Sequence, residues 1–279
     1  MKMKKKYIIV IIVMLAVLID LSVLLYPTVS ETVNARSQSR VVAKYIDTVT
    51  GANSAKTQAM LDAADAYNKA LLHNPSRYDF TAADTAEYKG QINTSGGVMG
   101  ILMIDKINVR LPIYHGTDEG VLEVGVGHVE GTSLPVGGIG THTVIAGHTG
   151  LPSALLLTDL NKLTNGDTFV LYILGQALTY QVDQIQVVLP EEADQMDIDP
   201  DMDYCTLVTC TPYGVNDHRL LVRGHRIETS GKGWTAISAG ASQLDKVKTI
   251  LIFNMPVCLI LTVYAVLKSR KIHKGGLIQ

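Results

Sequence analysis

Neither sign of charge dominates this sequence. Its 279 residues hold 24 Lys and Arg against 26 Asp and Glu, a formal net charge of −2, and that balance argues against a nucleic-acid partner. Cysteine is scarce too, with three in the whole chain. Cys258 falls inside an apolar run, where it is most simply a small hydrophobe. Cys205 and Cys210 remain; on an extended strand they lie about 16 Å apart and point to opposite faces. A disulfide needs Cα atoms within about 7 Å, so these two cannot pair and a disulfide-built scaffold is excluded. Internal repeats and low-complexity tracts are absent, and residues 36–72 contain no proline.

What is present is an apolar excess, 47% of residues, gathered at the two ends. Lys2, Lys4, Lys5 and Lys6 precede an apolar run from Tyr7 to Tyr26 broken only by Asp20 and Ser22. About 20 apolar residues span a bilayer as a helix, whereas a secretory leader's apolar core is about 7–15 residues. An uncleaved anchor over residues 1–27 is therefore expected; a cleaved leader ending near Ala35 is the alternative. At the other end Thr249–Leu267 is long enough for a second span, although Asn254 and Pro256 interrupt it, and Lys268, Arg270, Lys271 and Lys274 follow. Basic residues on both terminal sides put both termini in the cytoplasm, in a two-span cell-membrane protein with its central domain outside. A buried helix of the central domain is the other reading of residues 249–267.

Between the spans the texture changes twice. In the helical region 28–72, Val42, Tyr45, Ile46 and Val49 make one apolar stripe and Leu61, Ala64, Tyr67 and Leu71 another, separated by Gly51 and Asn53. Residues 73–95 are polar and turn-rich. Residues 96–230 hold short β-type runs such as GVMGILMI, HTVIAGH, TLVTC and RLLVRGHRI, spaced as in a closed or nearly closed β-barrel; a linker over 231–248 and a tail over 268–279 complete the chain.

Three strand ends carry chemistry. TLVTC stops at Cys210, an eight-residue loop turns at Pro212 and Gly214, and Arg219 opens the return strand. If the two strands pair antiparallel, Arg219 begins beside the place where Cys210 ended. HTVIAG stops at His148, with Gly147 giving the backbone room. A thiolate is the reactive form of cysteine and is favoured beside a cation. Histidine can hold and return a proton near neutral pH, while arginine stays protonated and only donates hydrogen bonds, most usefully to an oxyanion. Together they describe acyl transfer through a thioester. A zinc site built from His142, His148, Cys205 and Cys210 is the competing reading, weakened by the distance between the two cysteines. For His128, His142 and His225 a structural role is the simpler expectation.

TLVTC with Arg219 nine residues after Cys210, together with the AGH that ends at His148, resembles the signature of sortases, the membrane-anchored cysteine transpeptidases of Gram-positive bacteria. GTSLPVGGIGTHTVIAGHTGLPSA and TLVTCTPYGVNDHRLLVRGHR resemble class C, the pilin-polymerising branch. The resemblance implies a mainly-β chain, an eight-stranded sortase barrel with N-terminal helices and two transmembrane helices. It implies Cys210 as nucleophile, His148 as general acid and base, and Arg219 as stabiliser of substrate and oxyanion. The implied partners are pilin subunits bearing an LPXTG-like sorting signal, cut between Thr and Gly, and an acceptor Lys; no cofactor and no metal are implied. Anchoring of surface proteins to peptidoglycan, or a non-catalytic barrel that binds wall proteins, are the alternatives.

Class C members also carry a lid with an Asp-Pro-aromatic motif. The matching stretch here is RYDFTAAD, which lacks the proline; the resemblance implies Asp79 toward Arg219 and Phe80 over Cys210, with Tyr78 as a substitute for Phe80 and a plain linker as the other reading. The acidic stretch at residues 190–203 departs from a calcium loop, with Met202 where Gly belongs and Val208 where Glu belongs, and reads as a solvated loop.

Overall fold

The computed structural model describes residues 2–94, 96–151, 154–192 and 196–229. The linker after the barrel, the second expected span, the basic tail and Cys258 lie outside the described residues. The chain divides into two units, residues 1–32 with 242–279 and residues 33–241. Helix α1 (Lys2–Thr50) contains the Tyr7–Tyr26 run, several of whose side chains are not among those described. Among the described residues no helix is long and apolar enough to cross a membrane.

The second unit is built on eight strands: β1 (Val98–Ile104), β2 (Val109–His115), β3 (Val126–His128), β4 (Thr141–Ala146), β5 (Thr168–Ile173), β6 (Gln176–Val188), β7 (Asp203–Thr211) and β8 (His218–Ile227). They close into a barrel in the order β1-β2-β3-β4-β7-β8-β6-β5. The pairs β2/β3 and β4/β7 are parallel and the others antiparallel. A parallel pair needs a crossover; β2 reaches β3 through the short helix α4 (Glu119–Leu122), and β4 reaches β7 by way of the whole β5–β6 hairpin.

Every residue of β1 is buried, because both faces of the strand are covered. Leu102 and Ile104 point into the barrel core, while Val98, Ile101 and Met103 meet Val42 and Tyr45 of α1 outside it. Ile46 and Val49 complete that helical stripe. The Tyr45 hydroxyl donates to the Met99 carbonyl and accepts from the Leu174 N–H, both at 2.9 Å, so its burial leaves no polar atom wanting.

The α1 helix ends at Thr50 and Asn53 caps α2 (Ser54–Leu72), its side chain accepting from the Ala55 N–H at 2.8 Å. The second stripe packs on the barrel core as expected, with Ala64 and Leu71 buried and Leu61 and Tyr67 beside them. Asn68, in the same face, pairs both backbone groups of Leu134 (2.7 and 3.0 Å) as a strand would.

Residues 73–95 are not a plain linker. They contain α3 (Ala82–Gly90), opened by a reciprocal capping box between Thr81 and Asp84. Its one buried side chain, Tyr88, reaches the His128 ring at 2.9 Å and the His128 carbonyl at 3.1 Å, and accepts from the Gly116 N–H.

Candidate active site

Side chains alternate between the two faces of a strand, and β7 shows which face carries the chemistry. Cys205 and Leu207 belong to the barrel core, whereas Val208 belongs to a separate cluster with Val144 and Leu221 on the other face. Cys210, two residues past Val208, therefore lies on that outer face, where it is half-buried. Both described cysteines are free thiols. Burial and the nearby Asp203 push the Cys205 thiol well above its ordinary value, which leaves Cys205 protonated and inert.

Register brings the other two groups to Cys210. Arg219 on β8 is its direct antiparallel partner. On the other side β4 runs parallel to β7 with Ala146 level with Val208, and the Gly147 N–H continues the ladder by donating to the Val208 carbonyl at 3.0 Å. His148 thus comes level with Cys210. The Thr209 hydroxyl donates to the Gly147 carbonyl at 2.8 Å, tying the residue before the cysteine to the residue before the histidine. Gly147 is required here, since a methyl group on it would sit 2.8 Å from Leu157 Cδ1 and 2.9 Å from Val126 Cγ1.

Arg219 Nη1 donates to the carbonyls of Asn216 (3.2 Å) and His218 (3.1 Å). Its Nε and Nη2 have no hydrogen-bond partner among the described residues. The His148 ring also has none. The other histidines of interest are occupied. His128 is fully buried between Tyr88 and the Ser133 carbonyl, and burial pushes it down to about 4. His142 bridges the Asp197 carbonyl and Thr206 Oγ1, lowered by burial, and His225 lies 3.4 Å from Asp183.

Asp79 and Phe80 belong to the segment between α2 and α3. They line a cavity of about 590 Å³ between α2 and α3, together with Tyr67, Arg77, Asp84 and Glu87 among others, and none of Cys210, His148 or Arg219 lines it. Asp79 forms no ion pair among the described residues, with Arg219 or any other cation. The neighbouring Arg77 pairs with Asp197 at 2.8 Å, and Tyr78 packs on Gly131. The register instead sets Cys210, His148 and Arg219 at the ends of β4, β7 and β8, away from the residues that line this cavity.

The acidic stretch is not solvated throughout. Asp203 is buried on β7, accepting from the Gly138 N–H at 2.8 Å and the Tyr180 hydroxyl at 3.0 Å, and burial raises its carboxyl. Those partners lie 65 and 23 positions away, so local sequence gave no sign of them. Among the described residues no group of His, Cys, Asp and Glu is placed to hold a metal ion, and the zinc reading fails because His142 and Cys205 face opposite sides of the barrel wall.

A closed barrel that presents a free thiol, an imidazole and a guanidinium from adjacent strand ends defines a cysteine acyltransferase. Residues 102–227 match the sortase domain. Sortase D of Bacillus subtilis is 28% identical over 190 residues, 66% of this chain and 88% of that protein. The crystal structure of sortase C1 from Streptococcus agalactiae is 45% identical, with a TM-score of 0.66, and the match covers 68% of this chain and all of that one. A Streptococcus pneumoniae sortase C, studied for its catalysis and pilin substrate specificity, is 42% identical with a TM-score of 0.63, over 68% of this chain and 97% of that one. The chain belongs to the sortase family, as a class C, sortase-type cysteine transpeptidase.

Proposed function

We propose that this chain joins pilins. Cys210 attacks the carbonyl between Thr and Gly of an LPXTG-like sorting signal, and the pilin is held as a thioester. The Lys amine of the next pilin then takes the acyl group as an isopeptide. The observation that supports this reading is the pairing of Cys210 with Arg219 on β8, with His148 two residues past the end of β4, where the parallel β4/β7 register brings it level with Cys210. His148 takes the thiol proton and gives it to the leaving Gly amine. The free N–H groups of Arg219 meet the oxyanion, and Thr209 fixes the spacing of the other two. Likeness to class C structures, one of them studied for pilin specificity, supports pilin as the substrate. The Tyr7–Tyr26 run supports an N-terminal membrane anchor, and the basic residues at both chain ends support cytoplasmic termini.

The test is intact mass of the full chain and its Cys210→Ala form after incubation with an LPXTG-type peptide. An adduct on the unaltered chain alone, with release of the Gly-side fragment, is expected. No adduct would overturn the reading.

A further inference from the structure

The loop that leaves Cys210 and the loop that leaves His148 touch at one place beyond the strand ends. Tyr213, three residues after the thiol, lays its ring against Gly150, two residues after the imidazole. A methyl group on Gly150 would sit 3.0 Å from the ring's Cε2 and 3.2 Å from Cδ2. The ring is held there by its own loop, since the N–H groups of Val215 and Asn216 both bond the Pro212 carbonyl, and Arg219 grips the Asn216 carbonyl. Gly150 is held in turn by a bond from its N–H to Thr158 Oγ1 at 3.1 Å. Yet Tyr213 is 68% exposed. One face of the ring rests on Gly150 while the rest stays open to solvent.

We infer that Tyr213, clamped on Gly150, is the end wall of the acyl-enzyme pocket and sets how long a thioester on Cys210 survives water. The inference rests on the transpeptidase reading above. Two fates compete for that thioester. In transfer, the amine nitrogen bonds to the acyl carbon, the C–S bond breaks, and the amine's proton passes through His148 to the departing sulfur. In hydrolysis a water oxygen makes the same bond, one water proton reaches the sulfur by the same route, and the other stays on the released carboxylic acid. Both need His148, so the imidazole cannot favour one over the other. A wall that restricts water at the open end of the strand row can.

The experiment follows the lifetime of the peptide adduct on the full chain by intact mass, after free LPXTG-type peptide has been removed and with no amine added. For Tyr213→Ala the adduct forms and its half-life falls by about fivefold or more. Tyr213→Phe keeps the half-life, since the ring and not the hydroxyl meets Gly150. Gly150→Ala shortens it from the opposite side of the contact, because the added methyl crowds the ring and strains a backbone held at φ +75°. An adduct whose half-life is unmoved by Tyr213→Ala would overturn this inference alone. Loss of adduct formation in that variant would assign the ring to sorting-signal binding and overturn it as well. No adduct on the unaltered chain would overturn the transpeptidase reading together with it.

Discussion

Cys210 and Arg219 are direct cross-strand partners, and the next residue across the sheet from Arg219 is Val188 on β6. The arginine therefore stands between the thiol and an apolar residue of the next strand, and two of its bonds go to its own loop. Its guanidinium is braced by its own loop, the preorganisation that the proposed oxyanion role calls for.

Replacing it separates charge from geometry. Arg219→Ala is expected to lower the rate of adduct formation by about 10²–10³. Arg219→Lys should recover only part of that loss, because an ammonium cannot hold two loop carbonyls and still present a planar fork. Single-turnover acylation rates check this; equal activity of the lysine variant would remove the fork from the mechanism.

Asp79→Ala is expected to change the acylation rate by less than about twofold, the scale of a surface substitution without partners, since Asp79 pairs with no cation among the described residues. A large acceleration in the same assay would show that Asp79 restrains the site in solution.

Gly147→Ala forces a methyl group to within 2.9 Å of both Leu157 and Val126. Overpacking of this kind destabilises by about 1–3 kcal/mol, read as a shift in the urea midpoint. Because His148 is the next residue, acylation should fall further than unfolding explains, measured well below the midpoint.

Stability should decline in acid through His128. Its folded value is about 4 against an ordinary 6.5, so between those values the unfolded chain binds the proton and the folded chain does not. The contribution is complete above pH 6.5, shrinks as pH falls, and is spent below about 4. The difference corresponds to about 3 kcal/mol. Urea titrations from neutral pH downward would show the slope, and His128→Gln should flatten it at the cost of lower stability at neutral pH.

Asn68→Ala strips the partner from the N–H of the fully buried Leu134, whose carbonyl keeps the Val136 N–H at 2.8 Å, at about 1–3 kcal/mol for the orphaned donor. Asn68→Asp keeps the acceptor for that N–H but sets a buried carboxylate against the Leu134 carbonyl, so at neutral pH it should lose at least as much. Chemical denaturation of the two variants gives the comparison.

Both N-terminal stripes and the strands that carry the site were legible because repetition marks them: helical spacing in Val42–Val49 and Leu61–Leu71, and short apolar runs closed by turn residues in the barrel. The Cys210–Arg219 neighbourhood was legible on the condition that the two strands pair antiparallel, and they do. Helix α3 escaped notice because only Tyr88 of it is buried, and one anchor makes no period. Asn68, Asp203 and the Thr209–Gly147 bond were hidden for a different reason. Each is a polar group whose partner is brought near only by the fold, and polar residues look alike in sequence whether water or a distant strand satisfies them.

The parallel pairing of β4 with β7 has a temporal side. Gly147 and Thr209, joined by one bond, are 62 positions apart, and the β5–β6 hairpin is made between them. Contacts of that sequence separation form late, after the loop entropy of everything enclosed has been overcome. The nucleophile and its arginine are also among the last barrel residues to be synthesised. A half-folded chain can therefore pair Cys210 with Arg219 inside the β7–β8 hairpin before His148 reaches them, and the three groups stand together only once the barrel has closed.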